Sequence, residues 1–158
     1  MFNIDRRYID APQFEETLQS RMITIRSKYR NDPTLPRTEQ FGITEKQALQ
    51  IGACFGGGMS KAEVCGACAG ALMVLGMKYG QFDENDLESR SAESAKASEF
   101  LEEFKKRKGS YICREILGCD ISTDEGKSYA RSNGLYGKYC TEMVRTAAEI
   151  VAGMLGED

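Results

Sequence analysis

Apolar residues recur along this chain at helical rather than alternating spacing, in segments separated by glycine, proline and polar clusters. Phe14, Leu18, Met22, Ile25 and Tyr29 lie three or four residues apart behind Asp10 and Pro12, which predict an N-cap and a first turn. The stretch 31–36, with prolines at 33 and 36, reads as a linker. A second helix is predicted from Thr44, whose capping box with Gln47 closes the first turn, through Ile51, and the glycines at 56–58 are expected to end it. A third is expected to open on another capping box, Ser60 with Glu63, and to run to about Tyr79, with Gly80 as its stop. Its apolar residues Val64, Leu72, Met73, Val74, Leu75 and Met77 surround most of the circumference, the pattern of a helix enclosed by others. Gly66 and Gly70, with alanines at 67, 69 and 71, remove side-chain bulk so that a neighbouring backbone can approach.

A fourth helix is predicted from about Asp86 to Lys108, with Ala97, Phe100, Leu101 and Phe104 on one stripe and Gly109 just past its end. Ser110 to Leu117 forms a short helix stopped by Gly118. The stretches 122–126 and 133–134 read as polar turns, and Lys138 to Leu155 as a last amphipathic helix through Val144, Ala147, Ala148, Val151 and Leu155. No alternating strand pattern is present. The expected fold is all-α, a compact bundle of about five to six helices around a buried central helix that carries Cys65 and Cys68. A length of 158 residues suits one core, so 1–158 is expected to form a single helical domain, with an N-terminal helix and linker over 1–43 and a cysteine-bearing core over 44–155.

Charge and composition narrow the chemistry. The net charge of −3 leaves no basic stripe, and the densest cationic run, Lys105 to Lys108, sits where it complements a helix C-terminus, so no nucleic-acid partner is expected. No apolar run is long enough for membrane insertion, and residues 1–7 lack the apolar core of a signal peptide, which points to a cytoplasmic chain. The absence of histidine removes Cys-His and Ser-His catalysis and leaves sulfur and carboxylate as the metal ligands.

Against that background the six cysteines, at 54, 65, 68, 113, 119 and 140, are candidates for redox exchange, metal ligation or burial as small apolar groups. Cys65 and Cys68 lie one helical turn apart on one face, close enough to share a disulfide or an ion. Cys113 and Cys119 flank a short helix, and Cys140 is expected to start the last one, where the dipole favours a thiolate. The glycines at 56–58 permit two readings: an anion cradle, which lacks a preceding strand and a P-loop lysine, or a sharp turn passing close to the cysteine helix. The tyrosines at 111, 129, 136 and 139 read as core or surface residues.

Phe55-Gly-Gly-Gly-Met59, Cys65-Gly-Ala-Cys-Ala-Gly70, the run from Ala71 to Gly80 and Cys113-Arg-Glu-Ile-Leu-Gly118 together resemble the redox-active protein family written C_GCAxxG_C_C, over about residues 44–155. The resemblance implies an all-helical bacterial or archaeal redox protein in which Cys65, Cys113 and Cys140 match family cysteines, and for some relatives an iron–sulfur centre. The family's usual cysteine in its first helix has no counterpart, because residues 1–53 contain none. Cys54, Cys68 and Cys119 are extra thiols, and Cys68 is the expected substitute because helix geometry fixes its distance to Cys65.

The leading expectation is thereby thiol/disulfide or electron-transfer chemistry, an oxidoreductase function, at Cys65, Cys68, Cys113 and Cys140, with a redox partner protein. The alternative is a metal-binding module in which Cys65, Cys68, Cys113, Cys119 and Cys140 hold an iron–sulfur cluster or a thiolate-bound metal ion. A third reading is a helical interaction protein whose cysteines only pack. Small-residue helix faces also suit a homodimer.

Overall fold

The computed structural model describes residues 42–156, which belong to one compact unit, Pro33–Asp158. The helix and linker expected before residue 42 lie outside the described residues. Six α-helices follow in order: α1 (Glu45–Gly52), α2 (Gly66–Tyr79), α3 (Leu87–Lys108), α4 (Cys113–Leu117), α5 (Asp124–Ser132) and α6 (Thr141–Gly156). A wide turn, Gly58–Ala62, precedes α2, and a π-helical turn, Tyr136–Cys140, runs directly into α6. Among the described residues there is no strand, and the β contact present is an isolated antiparallel bridge between Val64 and Ile112.

Capping chemistry sets several boundaries where the pattern places them. The Thr44 hydroxyl accepts from the Gln47 amide at 3.2 Å, and the Thr44 amide donates to the Gln47 side chain at 2.9 Å. α1 nevertheless stops at Gly52, ahead of the glycine run. Asp86 caps α3 by accepting from the Ser89 amide at 3.0 Å, and Gly109 leaves the helix in a left-handed conformation with φ 83°.

The core is the meeting of α2, α3 and α6, each packed against the other two. Phe100 and Phe104 on α3 are fully buried with ring centroids 5.9 Å apart. They pack with Leu75 of α2 and with Met143, Ile150, Val151 and Met154 of α6. Burial of each such side chain is worth about 1.5–3 kcal/mol, which makes this three-helix contact the main source of rigidity for α2. Tyr79 at the end of α2 adds a polar tie, its hydroxyl donating to the Met154 carbonyl at 3.1 Å. Cys68 and Ala71 lie in the same core as Leu75, so the near end of α2, which carries the cysteines, is anchored by the bundle.

Four expectations are corrected, the last of them in part. Ser60 and Glu63 do not cap α2, which begins at Gly66 with Cys65 as its N-cap residue. The stretch read as turns around 122–126 opens a helix, α5. The Thr123 hydroxyl accepts from the Gly126 amide at 3.0 Å, and Gly126 lies so close to the Asp120 carbonyl that a Cβ there would stand 1.8 Å from it. Cys140 does not start the last helix at a free N-terminus, because helical backbone continues through Tyr136–Cys140 into Thr141. Close backbone approach holds at Gly66 but not at Gly70, where a Cβ would meet nothing within 4 Å.

Candidate functional site

The segment that delivers Cys65 is built from an uncommon run of backbone. Gly57, Gly58, Met59 and Ser60 are consecutive left-handed residues with φ of 64, 62, 57 and 58°, and Ala62 follows with φ 55°. Glycine adopts this region freely, whereas each of Met59, Ser60 and Ala62 costs about 1–3 kcal/mol unless its surroundings hold it there. The Met59 amide donates to the Phe55 carbonyl at 3.2 Å and the Glu63 amide to the Gly58 carbonyl at 3.2 Å. A Cβ at Gly58 would lie 2.4 Å from that Glu63 nitrogen, so the turn closes only around glycine.

From the other side, the chain around Cys113 grips the same segment. The Arg114 guanidinium donates through Nε to the Ala62 carbonyl at 3.1 Å and through Nη2 to the Lys61 carbonyl at 3.4 Å, and it pairs with the Glu63 carboxylate. The Cys113 amide donates to the Glu63 carbonyl at 2.6 Å, and the Cys65 amide donates to the Tyr111 carbonyl at 2.8 Å. These last two bonds flank the Val64–Ile112 bridge and set Cys65 and Cys113 on the same face of the crossing. Gly66, the first residue of α2, completes the enclosure: a Cβ there would stand 2.8 Å from the Phe55 carbonyl, so the glycine-rich chain passes directly over the helix start.

The two cysteines of the pair have opposite characters. Cys65 is half-buried at the N-cap of α2, and Cys68, three residues on, is fully buried. The Cys68 thiol beside it and the Ala67 and Cys68 amides at the helix start favour negative charge on the Cys65 sulfur. Against the cost of burial these bring the Cys65 pKa down to about 7. The same nearness to the Cys65 sulfur, together with burial and the Cys65 charge, holds the proton on Cys68 and pushes its pKa far up.

The remaining thiols are arranged around α4. Cys113 is buried, and burial first, then the charges of Cys65, Cys140, Cys119 and Asp120, push it up to about 12. Cys119 is half-buried just past α4, with a long S–H···O contact of 3.9 Å to the Gly126 carbonyl, and burial and Asp120 raise its pKa. Cys140 closes the π-helical turn against which α4 packs. Cys54 is exposed just beyond α1. No disulfide is formed among the described residues, and no three of their cysteine, aspartate or glutamate side chains stand close enough to hold a metal ion.

A family model described as "Putative redox-active protein (C_GCAxxG_C_C)" matches residues 36–154. The chain belongs to this family. No curated protein and no solved structure matches it. The family's description carries a general redox role, and the C_GCAxxG_C_C match spans the glycine turn, α2, α4 and nearly all of α6. Arg114, which links these parts of the site, was not singled out by sequence reasoning, and Glu63 was read only as the capping partner of Ser60. A lone arginine after a cysteine carries no periodic signal, and its carbonyl partners are invisible in side-chain patterns.

Proposed function

We propose that this protein is a thiol–disulfide exchange protein whose reacting pair is Cys65 and Cys68. The observation that carries the reading is the placement of Cys65 at the N-cap of a helix anchored in the core, with the buried thiol of Cys68 three residues on. At neutral pH a large fraction of Cys65 is thiolate, the form that attacks a disulfide.

In the exchange, the Cys65 thiolate attacks one sulfur of a disulfide on a partner protein. A Cys65–partner disulfide forms, and the other partner sulfur leaves as a thiolate. Cys65 is then neutral, which removes its charge, one of the influences that hold the proton on Cys68. Cys68 passes that proton to the departing thiolate and attacks the Cys65 sulfur. A Cys65–Cys68 disulfide forms, and the second partner thiolate leaves and is protonated from solvent. The partner disulfide is reduced by two electrons and the protein dithiol is oxidised. A dithiol donor restores it by the reverse steps, which suits a reducing, cytoplasmic setting. Cys113 is less suited to resolve Cys65: diagonal neighbours across an antiparallel bridge stand about 7–8 Å apart, beyond the reach of a disulfide without backbone movement.

Tryptic cleavage after Lys61 and Lys78 releases both cysteines on one peptide, 62–78. Protein equilibrated in graded mixtures of reduced and oxidised glutathione, acid-quenched and alkylated, is expected to lose both alkylatable thiols of that peptide together and reversibly. A peptide 62–78 that stays fully alkylatable across the series overturns the reading.

The three other cysteines whose charges act on Cys113 favour a second reading, a thiolate-bound metal or iron–sulfur centre formed when those sulfurs close together. Protein purified without oxygen is then coloured and carries iron and sulfide; under the dithiol reading it is colourless.

A further inference from the structure

We infer that Arg114 is a positioning residue for Cys65, acting through the left-handed turn and touching no sulfur. The inference rests on the reading of Cys65 as the attacking thiol. Its basis is the grip on three consecutive carbonyls just ahead of Val64 and Cys65: Arg114 takes those of Lys61 and Ala62, and the neighbouring Cys113 amide takes that of Glu63. Ala62 is fully buried and left-handed, so its carbonyl has no solvent to turn to if the guanidinium is withdrawn.

The geometry calls for a guanidinium in particular. Its planar fork meets two carbonyls and the Glu63 carboxylate at once, which a lysine ammonium, a single point charge on a flexible stem, does not reproduce. Without that fork, Met59, Ser60 and Ala62 gain by relaxing toward the right-handed region. Such a relaxation re-aims residues 63–65 and draws Cys65 away from the amides of Ala67 and Cys68 and from the Cys68 sulfhydryl.

The test is the pH dependence of Cys65 alkylation by iodoacetamide, read on peptide 62–78 with fragmentation to locate the label, in wild type, Arg114→Ala, Arg114→Lys and Arg114→Ala/Ser60→Gly. Wild type is expected to show a midpoint near 7, and both single Arg114 variants a midpoint raised by about one pH unit or more. Glycine at position 60 adopts the left-handed region without strain, so the double variant is expected to return toward the wild-type midpoint. Should Arg114→Ala not fold, Arg114→Lys reads the shift and the double variant its reversal.

A wild-type midpoint near 7 that is unchanged in a folded Arg114 variant overturns the inference alone. So does a Ser60→Gly background that restores the melting temperature and not the midpoint, since that is the mark of a merely structural residue. A wild-type midpoint near 9 overturns the reading of Cys65 itself, and the inference with it.

Discussion

The sulfur of Cys65 is stabilised as an anion by a neighbouring sulfhydryl and two amides, and this couples its chemistry to the stability of the fold. Its pKa falls from the ordinary 9.0 to about 7 on folding, so between those values the unfolded chain holds more protons at this site than the native protein. Stability from Cys65 therefore rises with pH through this window, is complete above 9.0 and is lost below about 7. Cys113, pushed up to about 12, acts in the opposite sense above 9.0, as does Cys68. The melting temperature of the reduced protein is expected to climb from pH 7 to 9 and then decline, and Cys65→Ser is expected to remove the climb. Replacement of Cys68 by alanine deletes the largest influence on Cys65, and its alkylation midpoint is expected to rise by about one pH unit or more.

At the scale of elements, what positions the thiol is a turn and a crossing rather than a regular helix entry. Gly58→Ala combines a strained φ of +62° with a Cβ 2.4 Å from the Glu63 nitrogen, and is expected to cost about 2 kcal/mol or more in urea unfolding. Gly70→Ala, four residues into α2 with nothing within 4 Å of the new Cβ, is expected to stabilise by about 0.5–1 kcal/mol. The contrast between two glycines of one motif separates a conformational requirement from a packing one. The extension of the turn through Met59, Ser60 and Ala62 was not legible in sequence because Ser60 and Glu63 carry the letters of a capping box, and local chemistry cannot distinguish a box from a left-handed run closed by distant carbonyl contacts. α5 was hidden for a related reason: a short, polar helix with Ala130 as its buried residue shows little apolar periodicity. By contrast, α1 and α3 were legible because Thr44 with Gln47, Asp86 and Gly109 act locally, and the stripe ending in Phe100 and Phe104 faces the core as its spacing requires.

For the molecule as a whole, the bundle of α2, α3 and α6 is the frame that keeps Cys68 dry and Cys65 at its rim. Phe104→Ala opens a cavity in that frame and is expected to cost about 3–5 kcal/mol, measured as a shift of the urea midpoint. Among the described residues no helix is long and apolar enough to cross a membrane, in line with the apolar residues being spent on this core. The nearness of Cys65 to Cys68 was legible from spacing, and the approach of the glycine turn to the cysteine helix from its three glycines. The grouping of Cys113 near Cys65 was legible only through family resemblance, because it depends on the Val64–Ile112 bridge between segments almost fifty residues apart. The rate of Cys65 alkylation in the wild-type protein as a function of pH tests the central claim most directly. A midpoint near 7 is the predicted result, and a midpoint at or above 9 contradicts it.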